Sequence, residues 1–170
     1  GTTESNNLAL KGVAEQLRSR GNKIISCSTE HVSVLKPLRQ LAENGFKIVL
    51  LPVDSTGAVD IDRLVNEIDE QTILFSVMAV NNETGTSQPF RQIATYLGTK
   101  DIPFLCDLTQ AVGKVPVVDS GFGSAMITIS SHKLAGPKGV GALILCGQQR
   151  LVPQLLGGSQ ENGMRAGTEN

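Results

Sequence analysis

The sequence predicts an α/β fold, a mainly parallel sheet with helices on both faces. Three observations predict it. Short β-branched and aliphatic runs alternate with helix-period segments along most of the chain. Gly, Asn, Asp and Pro punctuate the changes between them. The last two strand-like runs are separated by only ten residues (131–140), too few for a comfortable parallel crossover, so that pair is expected to be antiparallel.

Each element has its own signal. Leu10, Val13, Ala14 and Leu17 recur at helical spacing, with Thr2 or Thr3 as the expected N-cap and Arg18, Arg20 and Gly21 as the stop. A strand over Lys23–Ser28 leads to a helix whose inward face is read as Leu35, Leu38, Leu41 and Ala42, ending at Asn44-Gly45. Phe46–Val53 reads as a buried strand and Asp54–Gly57 as a turn. Asp60 then caps a short helix carrying Ile61, Leu64, Val65 and Ile68. Thr72–Val80 is the strongest strand signal, and Pro89 opens a helix with Phe90, Ile93, Ala94 and Leu97 inward. Ile102–Cys106, Ala125–Ser130 and Gly141–Cys146 complete the strands. Beyond Gly147 the periodicity fades into loop and short elements.

Composition narrows the function. With 15 Lys plus Arg against 16 Asp plus Glu, the net charge of -1 leaves no basic footprint for nucleic acid. No apolar run is long enough to span a bilayer, so no membrane association is expected. Three widely spaced cysteines (Cys27, Cys106, Cys146) form neither a disulfide framework nor a zinc-binding pattern. They point to a reducing, cytoplasmic setting. The chain opens at Gly1 without methionine and closes without a terminating pattern, so a fragment is expected, and organelle targeting of the parent protein stays open.

In an open parallel sheet, ligands bind beyond the carboxyl ends of the strands, so the polar residues that follow each strand are the ones to weigh. They are Ser28, Thr29, Glu30 and His31; Asn81, Asn82 and Glu83; Asp107 and Gln110; and Ser130, His132 and Lys133. The set suits a cofactor and lacks a metal-binding pattern. Lys133, alone, reads as a solvated surface lysine, but at a sheet edge it can be desolvated into a nucleophile or imine-forming amine. Asp107, alone, reads as an N-cap; as a carboxylate at the tip of a hydrophobic strand it needs a strong donor or cation. An aspartate, an imine-forming lysine and hydroxyls near helix starts together match the needs of pyridoxal phosphate, whose ring nitrogen wants a carboxylate and whose phosphate wants hydroxyls and helix N-termini.

The chain also resembles a known family along its whole length. GTTESNNLALKG (1–12), STEHVSVL (28–35), VNNETGTSQP (80–89), CDLTQAVGKVPV (106–117), ISSHKLAGPKGVGAL (129–143) and GGSQENGMRAGTEN (157–170) jointly resemble the cysteine desulfurases of the class V aminotransferase group, fold type I pyridoxal phosphate enzymes. The resemblance implies that Lys133 forms the imine with the cofactor, Asp107 pairs with the ring nitrogen, Gln110 bonds the ring hydroxyl and His31 lies over the ring face. It further implies that Thr3, Ser130 and His132 hold the phosphate and that Asn82 sits near the ring oxygen and the substrate carboxylate. Thr168 would reach the phosphate of a neighbouring subunit, which requires a homodimer, and Arg165 would belong to the wall between subunits. The implied reaction removes sulfur from L-cysteine, giving alanine and an enzyme persulfide for a sulfur acceptor in iron-sulfur cluster or tRNA thiolation pathways.

Departures and alternatives go with it. Ser131 stands where the family commonly has a small residue, and Asn162 where it has a basic one. Family members are roughly twice this length, so residues 1–170 are expected to be part of the large domain, without the N-terminal arm, the small domain or the loop cysteine that accepts sulfur. Cys27, Cys106 and Cys146 read as core thiols instead. The fragment by itself is expected to be inactive. Alternatives are a related class V enzyme (selenocysteine lyase, C-S lyase or aminotransferase) and a noncatalytic cofactor-binding remnant. His31, alone, reads as a helix cap or an exposed histidine. The Ser130-x-x-Lys133 spacing lacks the companion motifs of the β-lactamases, and no G-x-G-x-x-G or Walker loop is present.

Overall fold

A computed structural model describes residues 1–117, 122–123 and 125–169. The motif ending at Asn170 therefore has its last residue outside the described part. Six strands form one sheet: β1 (Lys23–Cys27), β2 (Lys47–Leu51), β3 (Thr72–Met78), β4 (Phe104–Asp107), β5 (Ala125–Ser130) and β6 (Gly141–Leu145), in the order β2-β1-β3-β4-β5-β6. The first five are parallel, and β6 runs antiparallel to β5 with Ser130 opposite Gly141, as the short connection predicts.

Alternation along the strands sorts the core into two layers. Ile24, Leu74, Leu105 and Met126 face α1 (Thr2–Gln16) and α2 (Val32–Glu43), meeting Leu10, Val13, Val34, Leu38 and Leu41. Their neighbours Ile25, Phe75, Phe104 and Ile127 face α3 (Ile61–Glu67) and α4 (Phe90–Thr99), meeting Leu64, Ile93 and Leu97. Burial on both faces is why these strands read as continuous apolar runs. Each such side chain contributes roughly 1.5–3 kcal/mol by leaving water.

The local differences from the sequence reading have physical causes. Gly1 occupies the N-cap of α1, with no side-chain cap, and Thr2 and Thr3 lie inside the first turn. The Thr2 hydroxyl meets the Thr109 hydroxyl at 2.9 Å instead of capping. In α2 the buried face is Ser33, Val34, Pro37, Leu38 and Leu41; Leu35 is half-buried and Ala42 exposed, so the true stripe is rotated by about one residue. In α3 only Leu64 is buried, and Val65 faces solvent. Phe46, Ile102 and Cys146 flank their strands, while Val53 and Val80 make isolated bridges to Val59 and Ser87. Pro89 is the N-cap of α4.

Topology opens the crevice that the sequence points to. From β1 the chain leaves through α2 on one face to reach β2, whereas from β3 it leaves through α4 on the other face to reach β4. The carboxyl ends of β1 and β3 therefore part, which is the switch point where such sheets bind ligands. Period-2 alternation also decides who faces it. Counting from Leu74, Leu105 and Met126, the residues Met78, Asp107, Thr128 and Ser130 fall on the α1 face.

At the β5–β6 edge, a Cβ on Gly141 would lie 2.7 Å from the Ile129 carbonyl oxygen and 2.8 Å from Gly1 Cα, both backbone atoms. Gly141→Ala should therefore cost about 1–3 kcal/mol in overpacking. A urea titration of the full-length protein should show a lower midpoint at an unchanged slope; an unmoved midpoint would contradict the close approach.

Candidate cofactor site at the carboxyl edge of the sheet

A cavity of about 710 Å³ lies at this edge, walled by the first turn of α1 and the loops after β1, β3, β4 and β5. Thr3, His31, Asn82, Asp107, Gln110, Ser130, His132 and Lys133 all line it, so eight of the nine residues singled out in the sequence come together in space. Thr168 does not; it is exposed and lies outside this cavity.

Asp107 closes β4 and is only 7% exposed. A carboxylate so placed requires donors. The Thr109 backbone N–H donates to Oδ1 at 2.9 Å, and Asn6 Nδ2 donates to Oδ2 at 3.0 Å. One oxygen thus caps the turn after β4 and the other takes a donor from α1. His31 is likewise both things its context allowed. It is the N-cap of α2, with Nδ1 accepting from the Ser33 N–H at 3.1 Å and lying 2.8 Å from Ser33 Oγ, and its ring still lines the cavity.

Lys133 sits on a short 3₁₀ turn, Ser131–Leu134, immediately after β5. It is exposed toward the cavity and has no hydrogen-bond or ion-pair partner among the described residues. On the same turn, Ser130 Oγ and His132 Nδ1 are 2.7 Å apart. Gln110 accepts from Lys114 Nζ at 2.6 Å through Oε1, which leaves its amide hydrogens for the cavity. Asn82 owes its place to its neighbour Asn81. That buried amide accepts from the N–H groups of Glu83 and Thr84 at 2.8 and 3.0 Å and donates to the Thr29 carbonyl at 3.0 Å, tying the β3 loop to the β1 loop.

Arg165 finds its partner within the chain. It donates to both oxygens of Glu4, at 2.6 and 3.3 Å, and this contact holds the Glu4 carboxyl below its usual value. The segment that carries Thr168 is thereby fastened to the helix that carries Thr3. Cys27 and Cys106 are buried and Cys146 is half-buried. Burial raises the thiols of Cys27 and Cys106, against the thiolate a nucleophile needs. No group of His, Cys, Asp or Glu suited to a metal occurs among the described residues, and no helix among them is long and apolar enough to cross a membrane.

Sequence reasoning gave no role to Asn6 or Glu30. Asn6 is fully buried and stands in the inward stripe of α1, four residues before Leu10. A polar residue in an apolar stripe was its only signal. Glu30, beside the cavity-lining His31, is buried; Oε1 accepts from the Met78 N–H at 2.8 Å and Oε2 has no partner among the described residues. Burial, reinforced by the nearby Asp107 charge, pushes its carboxyl from an ordinary 4.5 up to about 8. Glu30 therefore keeps its proton at neutral pH.

Comparison with known proteins places this geometry among relatives. The profile of the family described as aminotransferase class-V matches residues 1–169. The chain is 46% identical over 170 residues to the protein named cysteine desulfurase IscS of Dictyoglomus turgidum, covering 100% of this chain and 43% of that protein. Its fold matches a solved NifS-like protein with a TM-score of 0.95 at 38% identity, over 99% of this chain and 47% of the other. It also matches the structure of SspA in complex with cysteine, with a TM-score of 0.94 at 36% identity, over 99% and 49% of the two chains. The chain thus spans less than half the length of the relatives it matches.

Glu30 gives a pH signature. Because its folded value is raised, the unfolded chain ionises it from about 4.5 upward while the folded state keeps the proton to about 8. Its contribution is fully favourable below 4.5 and is lost as pH rises through 8. Glu30→Gln in the full-length protein should flatten the fall in stability across that window, by on the order of a few kcal/mol at its alkaline end. Equal slopes of unfolding free energy against pH for variant and parent would refute the protonated assignment.

Proposed function

The chain belongs to the class-V aminotransferase family, and from that premise we propose that it is the cofactor-binding part of the large domain of a pyridoxal phosphate-dependent cysteine desulfurase. The observation that carries the reading is the convergence of Asp107, His31 and Lys133 with the Thr3 and Ser130 hydroxyls on one cavity. The names of its relatives, cysteine desulfurase among them, and the cysteine complex of SspA support the same choice of substrate.

The donor set fits pyridoxal phosphate. A buried carboxylate fixed from two sides can hold a ring nitrogen protonated, and an unpartnered amine at the rim can bond the aldehyde carbon. The N–H groups of Thr2 and Thr3 make no backbone hydrogen bond within α1 and can join Thr3, Ser130 and His132 in holding a phosphate. Bound there, the cofactor supplies an electron sink for negative charge developing at the substrate Cα.

The chain's own residues do the rest. Asp107 would keep a positive charge on the ring nitrogen. His31 would pack on the ring face, and Gln110 would donate its amide to the ring hydroxyl. Asn82 would orient the ring oxygen and the substrate carboxylate. Lys133 would hold the cofactor through its amine and would carry the proton to and from the substrate Cα. A thiolate from the part of the protein outside this chain would attack the substrate sulfur; the C–S bond would break with its electron pair passing to the substrate carbon, protonation of that carbon would give alanine, and the sulfur would stay on the enzyme as a persulfide for a sulfur acceptor. Thr168 completes the phosphate site of a second subunit in a homodimer, and the protein works in the cytoplasm, in iron-sulfur cluster assembly or tRNA thiolation.

The full-length protein, incubated with L-cysteine and a thiol reductant, should release alanine and sulfide in equal amounts and show a visible cofactor band. Lys133→Ala should abolish both alanine formation and that band. Alanine at the parent rate from Lys133→Ala would overturn the reading, and turnover of L-selenocysteine alone would move it to a selenocysteine lyase. Asp107→Ala should weaken cofactor binding by on the order of 3–5 kcal/mol, as when a buried ion pair loses one partner. Equilibrium dialysis of pyridoxal phosphate measures it, and parent-like affinity would contradict the role given to Asp107.

A further inference from the structure

Asn6 spends every hydrogen-bonding atom of its side-chain amide on the site. Nδ2 donates to Asp107 Oδ2 and to Ser33 Oγ, each at 3.0 Å, and Oδ1 accepts from the Thr128 hydroxyl at 2.9 Å. The orientation of the amide is forced, because a carboxylate accepts and does not donate, so the NH₂ must face Asp107. The direction of the next link is forced as well. The Ser33 backbone N–H can only donate, so His31 Nδ1 is an acceptor. Ser33 Oγ–H, 2.8 Å away, therefore points at the same nitrogen and leaves its lone pairs for Asn6. One polarised path runs from Thr128 through Asn6 and branches, to the Asp107 carboxylate on one side and through Ser33 to the His31 ring on the other.

Asn6, Thr128, Asp107 and Ser33 are all buried, at 0%, 0%, 7% and 6% exposure, so water does not substitute for these bonds. The four residues come from α1, β5, the end of β4 and α2, so the bonds join four separate elements.

From this geometry we propose that Asn6 is a positioning residue of the site: a single amide that orients the Asp107 carboxylate and, through Ser33, the His31 ring, coupling the group assigned to the cofactor nitrogen to the group assigned to its face. The proposal deepens the pyridoxal phosphate reading and rests on it for the ligand, but the bond path itself does not depend on the cofactor.

Two readouts on the full-length protein test it. In the cofactor-free form, the ¹⁵N resonance of His31 Nδ1, assigned by its loss in His31→Gln, reports the bonds that nitrogen accepts. Asn6→Ala, which removes no atom touching His31, should shift it. Ser33→Ala should shift it too, and adding Asn6→Ala to Ser33→Ala should shift it no further, since the path is already cut. In the second readout, affinity for pyridoxal phosphate should fall about tenfold to a hundredfold in Asn6→Ala, as expected for losing a buried hydrogen bond to a charged group.

Asn6→Asp guards against a variant that fails to fold. It keeps the size of the side chain but carries at most one hydrogen, so it can serve Asp107 or Ser33 and not both; at least one readout must move. An unshifted Nδ1 resonance in Asn6→Ala, parent-like cofactor affinity in that variant, or an Asn6→Asp protein unchanged in both readouts would each overturn the proposal. If the parent protein takes up no pyridoxal phosphate, the functional reading fails by itself, and the resonance shifts alone decide the role of Asn6.

Discussion

A carboxylate buried at the tip of a hydrophobic strand is the constraint around which this structure is arranged. Asp107 follows Phe104, Leu105 and Cys106, three residues in the core, and is itself almost removed from water. In such surroundings the charge survives only where donors are fixed in advance, because leaving it unpaired would cost more than several ordinary contacts return. The Thr109 N–H and the Asn6 amide supply two such donors. Through them Asp107 ties α1 to the end of β4 and shapes the turn that follows it. Burial raises the neighbouring Glu30 carboxyl, so it adds no second charge beside Asp107 at neutral pH.

The same edge shows how a parallel sheet makes a site out of residues far apart in sequence. Strand ends in register bring Met78 beside Asp107 and Asp107 beside Thr128. The opposite exits of the chain from β1 and β3 keep the space between them open. Loops that would otherwise be mobile are tied by buried side chains: Asn81 joins the β3 loop to the β1 loop, and Gln88 accepts from the Val59 N–H and donates to the Gly57 carbonyl, each at 2.8 Å. Ties of this kind fix the loops after β1 and β3, which carry His31 and Asn82 to the cavity.

Polar groups in this site carry two duties. His31 caps α2 and lines the cavity; Asp107 caps a turn with one oxygen and takes the Asn6 amide with the other. Arg165 fastens the closing segment to α1 through Glu4. For His31 and Asp107, the bonds that hold the side chain at the edge are the same ones that stabilise its element.

The order of strands and helices, the antiparallel last pair, and most of the site were legible in the sequence, because period-2 and period-3.6 patterns, turn residues and strand-end position are local properties. The sequence also named Lys133, Asp107 and His31 as candidates, since a charged or titratable residue at the end of an apolar run is conspicuous without a structure. Tertiary packing decided the rest. That the face of α2 is built on Val34 and Pro37 rather than Leu35 and Ala42 follows from which side meets α1 and the sheet. That Glu30 keeps its proton depends on burial, and that Asn6 faces Asp107 across 101 positions of chain depends on the approach of α1 to β4. Long-range hydrogen bonds and desolvation arise only when separate elements close on one another, and no window along the chain contains them.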